Sequence, residues 1–146
     1  MEKTIKIDGK QYHLVYKGKT ERIYREQFHS DLTADIAEMQ WTQNQIMEQA
    51  KKELPNADNE MIGILLTRNM PSETLERVMW ASIKASNKNK KVKPFESFVD
   101  DIEDYMSFRQ EAMTWVYNIL IGSEPIVDID GKETSSEEEK DTKKPS

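Results

Sequence analysis

Few side chains in this chain stand at spacings that could make or break a covalent bond. Gly18-Lys19-Thr20 has the ending of a phosphate-binding loop, but that loop requires glycine at position 13, where His13 stands, so the backbone cradle for phosphate is missing. His13 and His29 are the only histidines, and neither has a carboxylate cluster at metal-ligand spacing; both are expected to be structural or solvent-facing. On a helix Asp100, Glu103 and Asp104 would share a face and could hold a hard cation. Such ions also draw oxygens from loops and water, so a solvated face is the expected role. Asp128, Asp130 and Gly131, with Glu137 after them, imitate part of a calcium loop, but Ile126 occupies its first ligand position and no helices flank it. No serine or threonine has a base partner by motif. The absence of cysteine removes thiolate nucleophiles, disulfides and cysteine-based zinc sites together. No catalytic, cofactor-binding or metal residue is expected, and no enzymatic activity.

Adhesive chemistry remains. Arg22 and Arg25 beside Tyr24, with Trp41, Trp80 and Trp115 elsewhere, are the residue types that dominate interface hot spots, and eight methionines offer flexible apolar contacts. The candidate partner-binding residues are Arg22, Tyr24, Arg25, Trp80 and Trp115. Against each stands a plainer role: Tyr24 and Phe28 at helical spacing more often form core, and surface arginines more often meet only water. Lys84, Lys88, Lys90, Lys91 and Lys93 form a basic run, read as a solvated loop and not as a nucleic-acid surface.

At 146 residues and 17.1 kDa the chain can bury one modest core. With 33% charged residues and a mean hydropathy of -0.82, part of it is expected to lie outside that core. Residues 123–146 hold eight acidic and four basic side chains, so most of the net charge of -6 belongs to the end of the chain. Two regions are therefore expected: a hairpin plus helical domain over 1–122 and a flexible acidic tail over 123–146. No run is long and apolar enough to cross a bilayer, and Met-Glu-Lys-Thr-Ile-Lys lacks the apolar core of a signal peptide, so a cytoplasmic location is expected.

These candidates must be positioned by elements that the patterning makes visible. Residues 4–7 and 11–16 alternate about Asp8-Gly9, a pair suited to a type I′ turn, and would put Ile5, Ile7, Tyr12, Leu14 and Tyr16 on one face. Thr20 is placed to cap a helix carrying Ile23, Tyr24, Gln27 and Phe28, and Asp31 to cap a second. That second helix aligns Leu32, Ile36, Met39, Ile46, Met47, Ala50 and Leu54 before Pro55 stops it. Residues 61–66 form a short apolar segment, read as helix. Ser72 starts a helix with Leu75, Val78, Met79, Ile83 and Ala85 on its stripe and Trp80 at the edge, only partly covered. Pro94 opens a helix carrying Phe95, Phe98, Val99 and Ile102, and Ser107 to Gln110 fits a capping box for a last helix. That last helix bears two apolar stripes: Met113, Val116, Tyr117 and Leu120, and Phe108, Ala112, Trp115 and Ile119. Residues 126–132 suggest a brief extended stretch or turn. The fold class is α+β, mainly α: an N-terminal β-hairpin, a compact bundle of about five helices, and a disordered acidic C-terminal tail.

Ile7-Asp8-Gly9-Lys10-Gln11-Tyr12, followed by Thr20, Arg22, Tyr24, Arg25, Phe28, Asp31 and Leu32, resembles the tail assembly chaperones of long-tailed (siphovirus-type) bacteriophages and prophages. Those proteins begin with an "IDGK-x-Y" hairpin and a helix of the form T-x-R-x-Y-R-x-x-F-G-x-D-L. Leu75-Glu76-Arg77-Val78-Met79-Trp80-Ala81 is similar to the family's "LE-x-apolar-x-WA" segment, and Pro94-Phe95-Glu96-Ser97-Phe98 to its "PFE-x-aromatic" helix. One departure is His29, where members usually carry glycine. The resemblance implies a non-enzymatic factor of virion morphogenesis that coats the tape-measure protein, keeps it soluble and recruits tail-tube subunits. It implies action in the bacterial host cytoplasm, self-association, a longer frameshifted product in many members, and absence from the mature virion. No cofactor, nucleic acid or membrane enters that role. A second reading is a small mobile-element adaptor or regulator that binds one folded protein partner, and a third is a nucleic-acid accessory protein using the lysine loop.

Overall fold

The computed structural model describes residues 1–122; the expectations for 123–146, including the turn at 126–132, lie outside the described residues. The fold is α+β, mainly α. Strands β1 (Glu2–Ile7) and β2 (Lys10–Val15) precede helices α1 (Gly18–Phe28), α2 (Leu32–Glu53), α3 (Asn59–Arg68), α4 (Ser72–Lys84), α5 (Phe95–Asp100) and α6 (Tyr105–Leu120). Six helices thus stand where about five were expected. The chain divides into two units, Met1–Val116 and a second that begins at Tyr117. The described part of the second completes α6 and turns at Gly122, with φ 78°.

Asp8 and Gly9 take φ 53° and 84°, the paired positive values that a type I′ turn requires. The turn sets an antiparallel register with Ile5 opposite Tyr12, Ile7 opposite Lys10 and Lys3 opposite Leu14. Ile5, Ile7 and Leu14 are buried, as the alternation predicts, whereas Tyr12 and Tyr16 are half-covered. Val15, on the opposite face, is also buried. There the chain turns into α1, and the Thr20 hydroxyl donates to the Val15 carbonyl at 2.7 Å.

Thr20 is not the N-cap of α1. It lies one turn inside, fully buried, with its Oγ accepting from the Lys17 N–H at 3.2 Å. It therefore does the work of the inner member of a capping box, tying the helix start to the strand end. Asp31 does cap α2, accepting from the Ala34 N–H at 3.0 Å. Asp58 caps α3 in the same way through Met61 N–H at 2.9 Å. The last helix begins two residues before Ser107: Asp104 accepts from the Ser107 N–H at 3.2 Å, so Ser107 is the recipient of a cap and not its donor.

Helix α4 is the centre of the first unit. Leu75, Val78, Met79, Trp80, Ala81, Ser82 and Ile83 are all buried, and α1, α2, α5 and β2 pack around it. A helix enclosed on several sides buries residues beyond any single stripe, which is why Trp80, placed at a stripe edge by periodicity, is only 3% exposed. Its Nε1 donates to the Lys93 carbonyl at 2.9 Å. Helix α6 contributes Phe108, Ala112, Trp115 and Val116 to the same core, and Trp115 Nε1 donates to Ser82 Oγ at 2.8 Å. Ser82 in turn donates to the Val78 carbonyl, so the polar atoms of this core contact are paired.

Candidate partner-binding surface

The residues singled out for chemistry converge, but on the interior. Tyr24 and Phe28 from α1, Trp80 from α4 and Phe95 from α5 form one edge-to-face aromatic cluster. Ring centroids lie 5.1 Å apart for Tyr24–Phe28, 4.8 Å for Phe28–Phe95 and 5.8 Å for Phe28–Trp80. Edge-to-face pairs of this kind add to plain burial because a positive ring edge meets a negative face. Arg77 lies over the Phe28 ring at 5.0 Å and Lys84 over Trp80 at 5.3 Å, so cations border the cluster.

Tyr24 is fully buried, and its hydroxyl donates to Asp35 Oδ2 at 2.7 Å, while Ser30 donates to both oxygens of the same carboxylate. Burial first, and then the bond to Asp35, pushes the Tyr24 phenol far above its ordinary range. It remains a neutral donor that fastens α1 to α2. Of the five candidate residues, Tyr24, Trp80 and Trp115 are thus packed in the core. Arg22 and Arg25 are exposed on α1, with Arg22 paired to Glu26 at 3.6 Å. The structure does not bring the five together on one surface.

The other polar candidates also have structural partners. Asp100 ends α5, and the chain breaks before α6, so Asp100, Glu103 and Asp104 do not share a helical face. Instead Asp8 in the hairpin turn accepts the backbone N–H groups of Glu103 and Asp104, each at 2.9 Å. These two donors hold the Asp8 carboxyl below its ordinary range. Among the described residues no group of three histidine, aspartate or glutamate side chains could hold a metal ion. His13 Nε2 lies 2.7 Å from Glu2 Oε1, and the His13 backbone exchanges two hydrogen bonds with the Asn89 side chain. Asn89 also donates to the Ile83 carbonyl and so fixes the lysine-rich loop against β2. The five lysines of the run are all exposed, with Lys88 reaching Glu2 and Lys93 reaching Asp101.

The large apolar side chains that the first unit leaves in solvent are Trp41, Leu54, Met61 and Ile64, on or at the end of α2 and on α3, together with Met106 on α6. Trp41 is 64% exposed. At 100° per residue it projects directly opposite the buried line of Leu32, Ile36, Met39, Gln43 and Ala50. Ala34 and Ala37, also exposed, precede it on the same face and leave an open shoulder beside the ring. No residue of α3 is buried, and Met61 and Ile64 are about half exposed. Sequence reasoning noted Trp41 without placing it. The signal for α3 was its density of apolar residues: Met61, Ile62, Ile64, Leu65 and Leu66 are too many for one helical face to cover.

Among the described residues no helix is long and apolar enough to cross a membrane. No protein-family model, curated protein or solved structure matches the chain.

Proposed function

We propose that this protein is a tail assembly chaperone of a long-tailed bacteriophage or prophage. It binds and solubilises the tape-measure protein and helps recruit tail-tube subunits in the host cytoplasm, without enzymatic activity. The observation that carries this reading is that the separate pieces of the resemblance meet in one place. Tyr24 and Phe28 of the first motif, Trp80 of the second and Phe95 of the third are neighbours in a single aromatic cluster. Asp31 caps α2, His29 takes the left-handed conformation that suits the family's glycine, and Asp8-Gly9 makes the turn. Motif residues drawn from positions 24 to 95 that share one structural job support this reading.

The same observation relocates the working surface. Residues spent on holding the fold together are not free to hold a client, so client contact belongs to the exposed apolar side chains, with Trp41 foremost. An aromatic anchor on an otherwise polar helix face suits a chaperone. A micromolar contact, about -8 kcal/mol, is within reach of a few such anchors and is readily released. The test is co-expression with the tape-measure protein of the same phage or prophage, scored by client solubility and co-purification. The reading expects the client to stay soluble only in the presence of this protein, and an insoluble, unretained client overturns it.

A further inference from the structure

Helix α3 is the most lightly held helix of the first unit. Its main packing partner is α2, yet none of its ten residues is buried, and Ile62, Leu65 and Leu66 are only half-covered. Among the described residues no hydrogen bond or ion pair joins α3 to another element; its bonds beyond the helix run to Asp58, Asn69 and Met70 at its own ends. Gly63 stands in mid-helix, where glycine is a poor helix former, and nothing lies within 4 Å of where its Cβ would be. A helix this short is marginal in water without packing to support it. The far end is better fixed, because Arg109 bonds the Met70 carbonyl and Ser72 and so keeps the start of α4 in place if α3 leaves.

Only residues 54–58 link α2 to α3, and so short a connection makes the two helices antiparallel neighbours. With a length of about 15 Å, α3 runs back along the second half of α2 as far as the neighbourhood of Gln43. Gln43 is 8% exposed, lies on the buried line between Met39 and Ala50, and its Nε2 meets no acceptor. A buried donor without an acceptor is costly, and a packed helix cannot serve it from its backbone, whose carbonyls are already used. We propose that α3 is a displaceable cover. It occupies, on the second half of α2, the seat of an amphipathic helix from another protein, and melts away when that helix binds. The occupant carries apolar side chains at i, i+3 and i+4, as α3 does at Ile62, Leu65 and Leu66, and adds a side-chain oxygen that accepts from Gln43. Because α3 must leave first, apparent affinity falls with the fraction of time the seat stands open. The seat lies on the side of α2 away from Trp41, and it goes beyond the chaperone reading because it holds whatever the client is.

Native-state hydrogen exchange of the full chain should show the amides of Ile64 to Arg68 exchanging about a hundredfold faster, after correction for intrinsic rates, than those of Val78 to Ile83 in α4. Gln43→Leu removes the unserved donor beneath the cover and should slow the α3 amides about tenfold. Leu65→Asp should do the reverse and free the seat. A labelled peptide of residues 58–70 should then bind this variant at least about tenfold more tightly than the wild type, whose own α3 competes at high effective concentration. Protection of the α4 amides shows that the variant is folded, and Ile62→Asp replaces it where it is not. Exchange as slow in α3 as in α4, α3 amides unmoved by Gln43→Leu, or a peptide that binds wild type and folded variant alike each overturns the proposal.

Discussion

His29 closes α1 with φ 55° and ψ 40°, a left-handed conformation that costs a side-chain-bearing residue about 1–2 kcal/mol and costs glycine little. The histidine is exposed, so replacing it removes no core packing. Glycine gives back part of the gain through its freer unfolded chain, and His29→Gly should therefore raise stability by about 0.5–1 kcal/mol in urea denaturation. Asp8 makes an opposite case, in which the residue is well matched to its place. Its carboxylate accepts two backbone N–H groups and titrates below the ordinary value of 3.8. A group whose folded pKa is depressed contributes stability that is present above its unfolded pKa and lost as pH falls through the folded one. The denaturation midpoint should thus drop as pH falls below about 4, and Asp8→Asn should flatten that limb while keeping the left-handed turn. An unchanged acid limb in Asp8→Asn would show that other carboxylates govern it.

Arg109 shows how one side chain can fix a junction between helices. It is 8% exposed, and it donates through Nε to Ser72 Oγ at 3.2 Å and through a terminal nitrogen to the Met70 carbonyl at 2.6 Å. It thereby pins the link between α3 and α4 to α6. Lysine cannot reproduce that fork, so Arg109→Lys should cost about 2 kcal/mol in the same assay. Thr20→Val, which keeps the shape but loses bonds to Lys17 and Val15, should cost about 1–3 kcal/mol. Neither role was visible along the chain, because both depend on partners brought near only by folding. What the sequence did carry was local: the Asp8-Gly9 turn, the Asp31 cap, the Pro55 stop, the stripe of α4 and, on α2, Leu32, Ile36, Met39 and Ala50 each follow from residues within a few positions of one another, whereas Leu54, placed on the same α2 stripe, is exposed. Three of the errors were of one kind. Thr20 and Ser107 were read as caps because they are good capping residues, and Trp80 as half-covered because one stripe was assumed. In each case a tertiary neighbour, β2, Asp104 or the packing all round α4, decided the outcome. The candidate surface was less legible still: a motif marks what the fold cannot do without, which here is its aromatic core.

That distinction governs how the molecule should be dissected. Trp80→Ala and Trp115→Ala each empty a core site, at about 3–5 kcal/mol, out of a total stability of about 5–15 kcal/mol for a domain of this kind. Either variant would lose its client by unfolding and report nothing about contact. Trp41→Ala removes a ring that is 64% exposed and touches no hydrogen-bond network, so its denaturation midpoint should match the wild type. Truncating a central aromatic anchor typically costs 2 kcal/mol or more of binding, and the proposed chaperone role therefore predicts that Trp41→Ala weakens tape-measure retention by about thirtyfold. Trp115→Phe supplies the converse control: it keeps the ring in the core, gives up the bond to Ser82, and should lower stability while leaving client retention intact at a temperature where the variant is folded. If Trp41→Ala is folded and holds the client as firmly as the wild type, the outer face of α2 is not where the client sits.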